Sequence, residues 1–217
     1  VLQTVQCFHR GPLGILLAAA WTEMLTPAEI ADEIGRNLDF LDLESRDLPV
    51  RQRSLRAVFD YSWNLLDERP RAILQALSVF RGGFTWEAAR VVTGASLRDL
   101  KGLVDRSLVQ GGVGSRYELH ELTRQYAAEL LETSPTAFER AHNRHSGYFM
   151  AALQRWGADL KGSRQMAAIE SLDQEIENVR AAWNWAASRG QLSRLEQAMT
   201  CLDLGFRQRG RYQQAAT

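Results

Sequence analysis

The residues best suited to chemistry in this 217-residue chain lie at one joint. Tyr117-Glu118-Leu119-His120-Glu121-Leu122 starts as a short strand-like run and passes into the helical pattern of Thr123-Arg124-Gln125-Tyr126-Ala127, so His120 falls where strand becomes helix. The first backbone N–H groups of a helix have no partner inside it, and the helix dipole favours negative charge there. An imidazole at that point adds a donor to a place already disposed towards phosphate. A packed or solvent-bonded histidine is the other reading of His120. His9, His142 and His145 lie among arginines, with no nucleophile or carboxylate at a recognisable spacing, so no catalytic residue is expected; His142 and His145 read as solvated surface residues. Cys7 and Cys201 match neither a metal-ligand spacing nor a disulfide framework. No metal site is expected, and a reducing, cytoplasmic setting fits.

Around these residues the composition is balanced, with 26 basic against 26 acidic side chains, which argues against a protein whose main business is gripping phosphate backbones. Lys101 and Lys161 are its two lysines. The other cations are arginines, suited to planar contacts with carboxylate or phosphate, although genome composition also explains them. The longest apolar run, residues 13–21, is far short of the roughly 20 residues that cross a bilayer, so no membrane partner is expected. Val1 opens no signal-peptide pattern and residues 212–217 read as an interrupted helix, which suggests a piece of a longer protein.

The elements that must position His120 follow from periodicity. Pro12 suits a first helical turn, and Leu13, Leu16, Leu17 and Trp21 recur behind it at helical spacing. Thr26-Pro27-Ala28-Glu29 is a capping box ahead of a second helix, and residues 42–53 read as a charged linker. A helix from Leu55 carries Val58, Phe59, Trp63 and Leu66. Asp67 caps another with Ile73, Leu74, Leu77 and Phe80, which the Gly82-Gly83 pair is expected to end. Thr85 opens a third helix, and Ser96-Leu97-Arg98-Asp99 caps a fourth with Leu97, Leu100 and Leu103 as core positions. Residues 107–110 and 116–119 then alternate around a glycine-rich turn, predicting a β-hairpin, and helices followed by one hairpin describe a winged helix. Beyond Pro135 the pattern predicts helices over residues 136–160, 164–188 and 192 onwards, with Trp156, Trp183 and Trp185 in or beside apolar faces, like the start of a stacked solenoid.

The order of these modules and their residues resemble the part downstream of the nucleotide-binding core in STAND-class (NB-ARC-like) signalling ATPases of the bacterial transcriptional-regulator type. The resemblance rests on residues 12–21, on Ser54-Leu55-Arg56-Ala57-Val58-Phe59-Asp60-Tyr61-Ser62-Trp63, on Leu77-Ser78-Val79-Phe80-Arg81-Gly82-Gly83-Phe84, on residues 117–122, and on residues 173–186 with Glu177-Asn178-Val179-Arg180-Ala181-Ala182-Trp183. It implies a mainly α fold in three parts: a helical subdomain over residues 1–46, a winged helix with one β-hairpin over 51–133, and the start of a tetratricopeptide-like superhelical sensor over 135–217. It further implies that ADP or ATP is held by the full-length protein, with none expected bound tightly to this part. The winged helix would supply His120 to the β-phosphate of ADP, and Pro12 would take the place of a Gly-x-Pro proline that packs on adenine. The sequence departs from that motif, with Arg10 where glycine is expected and Gly11 displaced by one. An ordinary first-turn proline is the other reading of Pro12. No GxxxxGK[ST] occurs, so this part is not expected to be an enzyme alone, its implied partners being an upstream nucleotide-binding domain of the same chain and an effector of unknown identity on the solenoid.

Two rivals follow from the residues. A DNA-binding winged helix would use residues 97–106 as recognition helix, but Asp99 and Asp105 offset Arg98, Lys101 and Arg106, so direct DNA binding is not expected. A helical protein-interaction scaffold would use the solenoid and its tryptophans, with the winged helix as a spacer.

Overall fold

The computed structural model describes residues 26, 28–29, 55–111, 116–196, 198–199 and 201–203. Pro12 and the first predicted helix therefore lie outside the described residues, as does the turn at 112–115. Of the early elements, the capping box is present: the Thr26 N–H donates to Glu29 Oε2 at 2.8 Å and the Glu29 N–H to Thr26 Oγ1 at 3.4 Å.

Helix α1 (Leu55–Asn64) lays Phe59 flat against Tyr126 and Trp63 edge-on to the same ring, with centroids 5.4 and 6.0 Å apart. Its end is held by Arg71 of the next helix, whose guanidinium donates to the carbonyls of Trp63 and Asn64. In α2 (Glu68–Leu77) the apolar stripe Ile73, Leu74 and Leu77 is buried. Asp67 stands at its N-cap with no side-chain cap bond. The helix stops at Leu77 and not at the glycine pair: Ser78 turns the chain, Val79 and Phe80 dive into the core, and Gly82, with φ +73°, makes a later corner. That corner leads into a strand the periodicity did not predict, β1 (Phe84–Thr85), because two residues are too few to show a period of two.

Thr85 then caps α3 (Trp86–Thr93) through the Ala88 N–H, and Gly94 closes it in the left-handed region. The predicted capping box opens α4 (Leu97–Asp105), with Ser96 and Asp99 exchanging bonds reciprocally. Leu100 and Leu103 are buried, whereas Leu97 is 58% exposed, contrary to its expected core position. The first position of a helix points away from a core approached by its second turn. Strand β2 (Gln110–Gly111) is shorter than predicted, since Leu108 and Val109 donate back to the carbonyl of Leu103. It pairs antiparallel with β3 (Arg116–Glu118), which also pairs with β1, giving the sheet order β1-β3-β2 with Phe84 and Gly111 flanking Tyr117.

Helix α5 (Glu121–Glu132) follows, then a turn at Ser134 and the 25-residue α6 (Pro135–Asp159). The single helix expected over 164–188 is two, α7 (Gln165–Gln174) and α8 (Ile176–Ser188), broken at Glu175. Helical backbone resumes at residues 192–196, 198–199 and 201–203. α6 touches α2, α3, α5, α7 and α8, and a single hydrophobic cluster runs from Leu66 to Cys201. The architecture is mainly helical with a small three-stranded sheet, the fold class the sequence predicts. Among the described residues no helix is long and apolar enough to cross a membrane.

Candidate functional site

His120 is the N-cap residue of α5, two residues beyond β3. Strand pairing on both sides fixes β3, and α5 is anchored by buried Leu122, Tyr126, Ala127 and Leu131, so the joint is gripped from both directions. The Leu122 N–H donates to His120 Nδ1 at 3.3 Å, and the Arg124 N–H donates to the His120 carbonyl at 2.9 Å. A ring nitrogen that accepts carries no proton, which puts the proton of the neutral imidazole on Nε2. The ring is half-buried.

One turn on, Arg124 grips Glu121 with Nε and Nη2 at 2.8 and 2.6 Å, and Gln125 donates to the same carboxylate. Partial burial pushes the Glu121 carboxyl up, but the bonds and charge of Arg124, with Gln125 and Arg81, outweigh it and hold the group below the usual carboxylate range. Arg81 is lowered, first by partial burial and then by the like charge of Arg124. Both guanidiniums reach the Ser78 carbonyl at 3.5 Å. Two arginines against one carboxylate leave this side of the α5 N-terminus cationic, a surface suited to an anion.

The two other described histidines are not solvated. His145 is 2% exposed, wedged between Phe80 and Phe149 with centroids 5.1 and 4.8 Å away. His142 is half-buried, stacked on Trp185 at 4.5 Å, with the Arg189 guanidinium also over that indole. Burial pushes His145 down to about 3 and His142 to about 4, the latter helped by the charges of Arg81 and Arg189. Both residues sit on the side of α6 turned towards α8, which the arginine-rich surrounding sequence disguised. His9 lies outside the described residues.

Sequence reasoning also missed a polar hub. Asn178 is fully buried: its Nδ2 donates to the Gly83 carbonyl at 2.9 Å and to Glu175 Oε2 at 2.7 Å, while its Oδ1 accepts from the Arg81 N–H at 2.7 Å and from His145 Nε2 at 3.4 Å. The other Glu175 oxygen pairs with Arg116 of β3. A signal was present, since Glu175 and Asn178 stand three apart on the stripe that continues through Ala182 and Ala186, where a solvated polar residue has no place.

No protein-family model matches the chain. It is similar to two mycobacterial proteins provisionally named HTH-type transcriptional regulators, from Mycobacterium tuberculosis and Mycobacterium bovis; each is 36% identical over 205 residues, covering 88% of this chain and 22% of the relative. An uncharacterised protein of M. tuberculosis is 34% identical over 140 residues, 58% of this chain and 35% of its own. The chain thus spans about a fifth of the length of the first relatives it matches. Among solved structures it is similar to a Signal Transduction ATPase with Numerous Domains from Pyrococcus horikoshii that carries a tetratricopeptide repeat sensor. The identity there is 18% over 87% of this chain and 33% of the other, with a TM-score of 0.35, a likeness too distant to argue from.

Proposed function

We propose that this chain is the regulatory and sensor-linking part of a STAND-type signalling ATPase acting in transcriptional regulation. This reading is supported by residues 68–118, which run helix, strand, helix, helix, strand, strand with the sheet order expected of a winged helix. In it, the joint behind the last strand would present His120 to the β-phosphate of ADP held by an upstream nucleotide-binding domain of the same protein. The single observation that supports this most is the engagement of His120 Nδ1 by the Leu122 N–H, which leaves Nε2 as the proton-bearing nitrogen of the ring, the form in which it can donate to a phosphate oxygen. The regulatory setting is supported by the names of the mycobacterial relatives.

In this account ADP holds the module closed and ATP releases it, while the helices beyond Pro135 pass on what they sense. The part described here does not hydrolyse ATP alone. Replacing His120 with alanine in the full-length protein lowers the ADP that co-purifies with it and raises basal transcription of its target; unchanged nucleotide content and unchanged output would remove the latch. Direct DNA binding by α4 is not favoured. Of Arg98, Lys101 and Arg106, Lys101 is paired with Asp105 and Arg106 caps the Gly102 carbonyl, which leaves exposed Arg98 as a thin footing for a phosphate backbone.

A further inference from the structure

Two of the stretches that carry the family resemblance, residues 77–84 and 173–186, lie far apart in the chain and take no part in the proposed contact of His120 itself. Asn178 joins them. Its carboxamide holds the backbone of the 81–83 corner on both sides, accepting from the Arg81 N–H and donating to the Gly83 carbonyl, immediately before β1. Glu175, one turn earlier, takes an Asn178 N–H with one oxygen and Arg116 of β3 with the other. β1 and β3 are paired to each other through Phe84 with Tyr117 and Thr85 with Arg116, and β3 ends two residues before His120. The helix break falls at Glu175 itself, between α7 and α8, and its carboxylate is buried in this arrangement.

We propose that Glu175 and Asn178 form the joint through which the C-terminal helices set the position of β3, and so of His120, an inference that rests on the latch reading above. α6 is tied to α8 by polar bonds of its own, Ser146 to the Ala182 carbonyl and Trp185 to Asn143, each at 3.0 Å, but these run between the two helices and do not reach the sheet. The joint is directional: a part-buried ion pair and a buried amide with both ends engaged specify one registry between α8 and the sheet. A shift of α8 is carried to β3 by Arg116 and to β1 by Gly83 at once, so the sheet moves as a unit. Glu175 and Asn178 are positioning residues and touch no ligand.

The test uses the full-length protein with Glu175→Gln, His120→Ala and the double replacement, following release of labelled ADP and hydrogen exchange at amides 117–122. Glu175→Gln is expected to speed ADP release at least about fivefold and to raise exchange at 117–122, with little further effect on release once His120 is gone. Arg116→Lys, which keeps the charge but loses the planar fork, gives a smaller change in the same direction and covers the case in which Glu175→Gln fails to fold. Unchanged exchange at 117–122, or effects on release that multiply in the double variant, would overturn the joint. Should His120→Ala leave ADP release unaltered while Glu175→Gln still raises exchange at 117–122, the latch falls and the joint stands.

Discussion

His145 shows how strongly position overrides residue type. An imidazole that titrates near 6.5 in water is here held neutral down to about 3, because the proton would have to enter a wall of Phe80, Phe149 and buried backbone. Its folded-state value is depressed, so between that value and 6.5 the unfolded chain binds a proton that the folded chain refuses, and stability rises with pH across this window. It is fully present above 6.5 and is lost as the solution is acidified, by about 2 kcal/mol at pH 5 from His145 alone. His142 acts in the same direction, weakened by its greater contact with solvent. Thermal unfolding followed from pH 7 to pH 5 should show a falling midpoint, and His145→Gln should flatten that fall while lowering stability at pH 7. An equal slope in wild type and variant would assign the acid sensitivity to other groups.

At the scale of elements, caps and glycines decide where the chain turns. Gly82 and Gly83 look alike in sequence but do different work. Gly82 needs a positive φ and has open space around it; a Cβ on Gly83 would stand 2.9 Å from the carbonyl oxygen of Tyr117, a backbone atom of β3. Gly82→Ala should therefore cost about 1 kcal/mol through strain. Gly83→Ala should cost more, about 2 kcal/mol, because β1 must move off β3. Urea unfolding of the two variants checks the order, and equal costs would contradict the close approach. Capped helix starts are legible in the sequence: the boxes at Thr26 and Ser96, the Thr85 cap and the strand-to-helix joint at His120 are all fixed by local bonds within four residues. What was not legible depends on distant partners. The two-residue β1 is defined by its pairing with β3, the helix of 164–188 breaks at Glu175, which pairs with Arg116 of β3, and His145 is enclosed by Phe80 and by Asn178 of α8. Leu97 was misjudged for the same reason, since the pattern fixes a helix face but not how much of it a neighbour covers.

For the whole molecule, the continuous core matters most. α6 packs on α2, α3 and α5 as well as on α7 and α8, so the sheet-bearing half and the C-terminal helices share one hydrophobic cluster across the turn at Ser134. In the proposed reading, a signal at the C-terminal helices would meet a packed interface instead of a free linker on its way to His120. The balanced charge and the engagement of Lys101 by Asp105 and of Arg106 by the Gly102 carbonyl also predict that the isolated 217-residue chain shows no salt-dependent affinity for duplex DNA in an electrophoretic shift. Tight binding that weakens steeply with salt would move the function to the sheet-bearing half itself.

The most direct test of the central claim is the rate at which labelled ADP leaves the full-length protein with and without the His120 ring. A bond from a ring N–H to a charged phosphate contributes about 1.5 to 3 kcal/mol, so His120→Ala should release ADP roughly ten- to a hundredfold faster. A release rate that stays within twofold of the wild type would contradict the latch.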